Sequence, residues 1–227
     1  MDHTQSIDGR PASPTLVAPR WVVIVPVKGN PSAKSRLGDM PERAALAEAF
    51  ALDTVAALVA ASAVERVFVV TGSIRLKTVL AGLGAVIVSE ESGAATGNAR
   101  LNAAIEQGIA AARRAYPDVN LAVMTGDLPA LRPSDVENAF ALAAAQPLSM
   151  VADAEGVGTT TLCAQAGGAI RPRFGLGSRA AHEAAGHVLL DLPPTSSIRL
   201  DVDTSADFEV VRALGLGPHT SALLARL

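Results

Sequence analysis

The chain has 227 residues, of which 49% are hydrophobic and 18% charged, with a formal charge of -3 and one cysteine, Cys163. That length supplies a full core without staples, and mild acidity with 3% aromatic content excludes a dedicated nucleic-acid binder. A lone cysteine excludes internal disulfides and a cysteine-rich zinc site and fits a reducing cytoplasm, and no run reaches the ~18 apolar residues of a membrane span.

Residues 1–20, MDHTQSIDGRPASPTLVAPR, are polar and proline-containing and have no apolar signal region, so they read as a disordered leader. The folded domain is expected over 21–227. WVVIVPV (21–27) is a continuous β-branched run and predicts a buried strand. A long helix follows over 41–62, with Pro41 at its first position and Asp39 as a nearby cap. A strand at 66–72, a short helix near 73–82 and a strand at 85–90 come next. A glycine-rich loop then leads into a helix at 99–116. A strand at 121–127 precedes a helix at 132–146 capped by Ser134. LSMVADA and GTTTLCAQ predict two consecutive strands, GSRAAHEAAG a short helix, SIRLDVDT a last strand and SADFEVVRALG the final helix.

Strand–helix alternation with continuous apolar strands predicts an α/β fold with a mostly parallel, doubly wound sheet covered on both faces. The consecutive later strands make the sheet mixed. Ligands in such folds bind beyond the carboxyl ends of the strands. That rule singles out the loops at 26–38, 71–72, 90–98 and 126–129.

VPVKGNPSAKSRLG, following the first strand, holds Lys28, Lys34 and Arg36 beside Gly29 and suits a polyphosphate. Its spacing nearly matches a P-loop. Ala33, however, occupies the position of the glycine before the lysine, and Pro31 removes an amide donor, so side-chain cations must do the holding. Asp127 stands at the tip of the fourth strand, where a carboxylate needs a cation, amides or water. Asp201 and Asp203 are two apart on an expected strand, so both leave one face. Three carboxylates with a cationic loop are the groups that metal-assisted phosphoryl or nucleotidyl transfer requires. Thr159–Thr161 and the segment PRFGLGSRAAH offer hydroxyls and a glycine–serine helix start for a second, anionic substrate. His182, a lone histidine, is either structural or part of that pocket.

VPVKGNPSAKSRL, PERAALAEAFALDTVAAL, LNAAI, GDLPAL, GTTTL, FGLGSRAAH and LDVDTSADF occur in that order. As an ordered set spanning roughly 22–214 they resemble the guanylyltransferases of coenzyme F-420 biosynthesis, of the CofC/FbiD type. The resemblance implies a single-domain GT-A-like nucleotidyltransferase fold, with GTP and a small phosphorylated carboxylic acid as substrates, magnesium, and pyrophosphate release. Carried over by position, it implies metal-binding and catalytic roles for Asp127, Asp201 and Asp203. Lys28, which also counts as catalytic, joins Lys34 and Arg36 as the nucleotide-phosphate loop. Thr160, Gly175 and Ser178 fall in the acceptor motifs, although many members read Gly-Gly-Thr-Asn where this chain has Val157-Gly158-Thr159-Thr160. Guanine recognition is expected around Thr71-Gly72 and Gly97–Asn102. The implied acceptor is phosphoenolpyruvate, with 2-phospho-L-lactate as the alternative, and a downstream transferase consumes the product. A nucleotidyltransferase acting on a molybdopterin or a sugar phosphate, and a nucleotide-binding module without turnover, are the remaining readings.

Overall fold

The computed structural model describes residues 20–28, 42–91 and 93–227. The expected leader up to residue 19, and the loop 29–41 with Lys34, Arg36 and Asp39, lie outside the described residues. Strand β1 (Trp21–Pro26) divides its side chains between two cores. Trp21, Val23 and Val25 pack with α1 (Arg43–Ala60), α2 (Ile74–Gly82) and α4 (Pro133–Ala143). Val22 and Ile24 point to the other face, against α3 (Gly97–Ala115). Period-two alternation between two apolar faces is why the strand reads as an uninterrupted hydrophobic run.

Among the described residues, seven strands form one sheet in the order β3-β2-β1-β4-β6-β5-β7. The added ranges are β2 (Val64–Thr71), β3 (Val86–Ser89), β4 (Asn120–Met124), β5 (Leu148–Ala152), β6 (Thr159–Ala164) and β7 (Val188–Leu189). Strands β1, β2, β3 and β4 are mutually parallel. Strand β6 is antiparallel to both β4 and β5, which is the mixed character expected from the consecutive later strands. Because β1 and β4 are adjacent while the chain between them winds through β2 and β3, the sheet changes direction of growth there. In open α/β sheets ligands bind at such a switch point.

Gly108 lets α3 lie close on the sheet: a Cβ there would stand 2.5 Å from Ile24 and 2.7 Å from Val70 side-chain carbons. On the opposite face Trp21 stacks on Phe140 at 4.9 Å. A third apolar cluster joins Leu46 and Phe50 of α1 to Leu200, Val202 and two residues of α6 (Ser205–Leu214), Phe208 and Val211. Helix α7 (Pro218–Leu224) is held by Asp53 of α1, a carboxylate only 4% exposed. It accepts the first-turn amides of His219 and Thr220, both at 2.8 Å. Those are amides a helix leaves without internal partners.

Two expectations are corrected. SIRLDVDT is not a strand: residues 197–199 form a 3-10 turn and 200–203 run on without ladder pairing. Side chains take the backbone groups that a ladder would use. Ser197 donates its amide and hydroxyl to Asp135 at 2.7 and 2.6 Å, and the Ile198 carbonyl accepts from Thr160 at 2.7 Å. Ser134 does not cap α4, which starts after Arg132 with Pro133 in its first turn. Helix α7 and the two-residue β7 were not anticipated.

Candidate active site

The turn after β4 is built against the end of β1. The Thr125 amide donates to the Thr160 carbonyl at 2.9 Å, extending the β4–β6 pairing by one residue. Gly126 then passes so near β1 that a Cβ would stand 3.2 Å from the Pro26 carbonyl oxygen and 3.3 Å from Val25. Close backbone approach explains the glycine. Asp127 follows, half-buried. The Leu128 amide is bound by the Thr54 hydroxyl at 3.0 Å, and the Pro129 carbonyl accepts from Gly217 at 2.7 Å. Helices α1 and α7 thereby fix the loop that carries Asp127.

Asp201 and Asp203 reach the same place by a different route. Leu200 and Val202 are buried in the third cluster, so the intervening residues turn outward. The Val202 amide donates to the Asp127 carbonyl at 3.1 Å. One carboxylate oxygen from each of Asp127, Asp201 and Asp203 falls within a set whose members all lie within 4.8 Å of one another. The inference that 201 and 203 share a side holds, through the burial of Leu200 and Val202, without the strand. Thr204 ends the segment with a capping box on α6: its hydroxyl accepts from Asp207 and the Asp207 side chain accepts from its amide.

Lys28 stands two residues past β1, exposed, after Val27 has bonded the Val70 carbonyl at 2.9 Å. It thus follows the strand adjacent to the one that leads into Asp127. Thr160, the second residue of β6, lies at the same end, because β6 runs antiparallel and starts where β4 stops. Its residue is fully buried and its hydroxyl donates to Ile198 at 2.7 Å. That bond ties β6 to the turn that launches Asp201 and Asp203. Arg199 clamps the same turn, donating to the Asp153 and Leu192 carbonyls.

The segment before α5 (Ser178–Glu183) is held by two side chains. Asn102 donates to the Phe174 carbonyl at 3.1 Å and accepts from its amide at 2.9 Å. Both ends of its amide are thus engaged on Phe174. Gly175 adopts φ 139°, and a Cβ there would collide with Asn98; Gly177 is left-handed at φ 69°. Ser178, 3% exposed, closes the turn with its amide on the Gly175 carbonyl at 3.0 Å. Gly97, exposed at the start of α3 with φ 56°, has open space where a side chain would stand.

His182 is fully buried and works as a linker. The Arg173 amide donates to Nε2 at 3.0 Å, so Nδ1 carries the proton and donates to Thr159 Oγ1 at 3.0 Å. Burial, with His187 and Arg173 nearby, pushes its pKa down to about 4. A neutral imidazole thereby joins β6, α5 and the Phe174 segment, and the structural reading of this residue prevails. Sequence reasoning missed Arg199, which reaches the Asp153 carbonyl 46 residues earlier, and Asp153, whose carboxylate accepts the Val157 and Gly158 amides at 3.0 and 2.7 Å. It also missed the Glu90–Arg100 pair at the tip of β3, where Arg100 Nε lies 2.6 Å from Glu90 Oε1.

Carboxylates grouped at the β4 tip, a cation at the β1 tip and an ordered glycine–serine turn match the layout of a nucleotidyl-transfer site. Comparison of the sequence decides the family. The model of the CofC-like guanylyl transferase family matches residues 21–227. The chain is 45% identical to the phosphoenolpyruvate guanylyltransferase of Streptomyces coelicolor and 46% identical to that of Streptomyces scabiei. Each match covers 92% of this chain and 97% of the relative.

The chain belongs to the CofC guanylyltransferase family. It is therefore a nucleotidyltransferase. The fold is shared with a Desulfovibrio desulfuricans protein assigned as a nucleotide-diphospho-sugar transferase, at TM-score 0.66 and 16% identity, covering 91% of this chain and 95% of that one. It is shared also with 4-diphosphocytidyl-2C-methyl-D-erythritol synthase, at TM-score 0.58 and 15% identity over 86% of this chain and 99% of that chain. Among the described residues of this CofC relative, no helix is long and apolar enough to cross a membrane.

Proposed function

We propose that the protein transfers GMP from GTP to phosphoenolpyruvate with release of pyrophosphate, as a step of coenzyme F-420 biosynthesis. The observation that carries this reading is the grouping of Asp127, Asp201 and Asp203 within 4.8 Å at the β1/β4 switch point, in a chain whose relatives are named for that reaction. Hard carboxylate oxygens in that number fit magnesium, since three ligands leave positions for phosphate oxygens and water. Asp127, Asp201 and Asp203 would hold the ion, which when bound neutralises phosphate charge.

In the reaction, a phosphate oxygen of phosphoenolpyruvate attacks the α-phosphorus of GTP in line. The bond to the β-phosphate oxygen breaks, and pyrophosphate leaves with that electron pair. The attacking phosphate is ionised at neutral pH, so the chain needs no general base. Lys28, with Lys34 and Arg36 from the same loop sequence, balances the charge of the departing pyrophosphate. Gly175 and Ser178 present the acceptor, and Thr160 acts by holding the turn that carries Asp201 and Asp203. His182 keeps the acceptor segment in register and takes no proton.

The product joins GMP to an enol phosphate through a phosphoanhydride, so a downstream transferase is expected to consume it. Cys163, buried in β6 with its thiol pushed up to about 12 by that burial, is inert and compatible with a reducing cytoplasm. Pyrophosphate release with GTP should require an acceptor and favour phosphoenolpyruvate over 2-phospholactate. Equal release with CTP or ATP would overturn the guanylyl assignment.

A further inference from the structure

Guanine presents two neighbouring donors, N1–H and the exocyclic N2–H, beside the O6 acceptor. An ionised carboxylate, with two oxygens and no proton, is the side chain that matches two adjacent donors. If the phosphates lie between Lys28 and the three aspartates at the β1/β4 switch point, the base extends away over β2 and β3. The order β3-β2-β1-β4 puts the β3 tip about 14 Å from the β4 tip at three strand spacings, the reach of a nucleotide laid across the strand ends.

Glu90 is the first residue past β3, with its amide on the Thr71 carbonyl at 3.2 Å. Its side chain is only 10% exposed, whereas its partner Arg100 is 56% exposed. An ordinary surface pair leaves both groups in water and contributes little. Here the carboxylate is withdrawn and the cation is outside, so the arrangement orients the acid. Arg100 occupies Oε1 at 2.6 Å, and each carboxylate oxygen retains a further acceptor position. Oε2 lies over Gly72, 3.4 Å from where a Cβ would be. Gly72 is itself exposed and carries no side chain between the carboxylate and the tip of β2. Ile74, two residues on and 83% exposed, supplies an apolar surface at the same rim. Asn102 is oriented by Phe174, to which both ends of its amide are bonded.

We infer that Glu90 is the specificity residue for guanine, accepting N1–H and N2–H of the base while Arg100 holds it in place. This rests on the GTP reading above.

The test uses the full chain with magnesium and saturating phosphoenolpyruvate, and GTP, ITP, XTP and ATP in turn. In the unaltered protein, ITP, which lacks the 2-amino group, should lose about 10-fold or more in kcat/KM relative to GTP. Glu90→Gln keeps the shape but replaces one acceptor with a donor. It should raise KM for GTP about 10- to 100-fold with kcat little changed. It should also bring XTP, whose 2-oxo group accepts, above GTP. An unaltered protein that prefers GTP to ATP but treats ITP as GTP, or a folded Glu90→Gln protein with unchanged GTP-over-XTP preference, overturns the Glu90 assignment alone. An unaltered protein with no preference for GTP overturns the guanylyl reading and this assignment with it.

Discussion

The amide of Val202 donates to the carbonyl of Asp127 at 3.1 Å, and that bond brings carboxylates from two distant parts of the chain to one point. Val202 is buried while Asp201 and Asp203 flank it. The bond therefore sets the height of both acids relative to Asp127. Asp203→Asn keeps the shape and removes one charge from the group. It should lower kcat by about 100-fold or more, a loss of roughly 3 kcal/mol or more of transition-state stabilisation. The melting temperature and circular dichroism should stay close to those of the unaltered protein. Normal turnover of that variant with magnesium would remove Asp203 from the metal set.

Thr160 tests a contact role against a positioning role. Thr160→Val leaves the buried Ile198 carbonyl without its donor, at a cost of about 1–3 kcal/mol. For a chain of this size that corresponds to a fall of roughly 2–4 °C in Tm per kcal/mol. kcat should fall as the Asp201–Asp203 segment loosens, and Thr160→Ser, which keeps the hydroxyl, should restore both. Were the residue a direct acceptor ligand instead, Thr160→Val would raise KM for phosphoenolpyruvate at unchanged Tm.

Asn102→Ala distinguishes nucleotide reading from support of the acceptor segment. Since its amide bonds both backbone groups of Phe174, its loss should raise KM for the acceptor. The ratio of kcat/KM for GTP over ITP should be unchanged. Steady-state kinetics with each substrate varied separately measures the split, and a loss concentrated in GTP discrimination would reassign the residue.

The neutral state of His182 makes stability depend on pH. Its pKa falls from 6.5 to about 4 on folding, because of burial first and then His187 and Arg173; His187 shifts the same way, chiefly by burial. A depressed folded pKa means that the unfolded chain binds the proton first as pH drops. The stability from neutral His182 is therefore complete above about pH 6.5 and is lost progressively down to about pH 4, in total on the order of 3 kcal/mol. Thermal melts between pH 7 and 4 should show that fall. A His182→Gln protein should be less stable at pH 7 and show a flatter profile. Parallel profiles for the two proteins would exclude His182 as the source.

The parallel half of the fold was legible because β1, β2 and β4 are buried on both faces, and that condition writes continuous Val, Ile and Leu runs into the sequence. Asp127 was legible for the same reason, as a charge directly following such a run. Asp201 and Asp203 were placed on the right side by the alternation of Leu200 and Val202, but their segment was misread as a strand. Thr160 and Asp135 capture the Ile198 and Ser197 backbone groups from 38 and 62 residues away, and no local pattern records those bonds. Helix α7 escaped notice because its N-terminal partner is Asp53, more than 160 residues earlier. The bond from Asn102 to Phe174, 72 residues off, escaped notice likewise.

The most direct test follows the atoms. Phosphoenolpyruvate labelled with oxygen-18 in its phosphate is incubated with GTP, magnesium and the full chain, and the products are resolved by mass spectrometry. GMP transfer predicts guanylylated phosphoenolpyruvate retaining all the label, with unlabelled pyrophosphate formed one for one. GDP with inorganic phosphate, or label appearing in pyrophosphate or in the nucleotide pool, would contradict attack of the acceptor phosphate on the α-phosphorus of GTP.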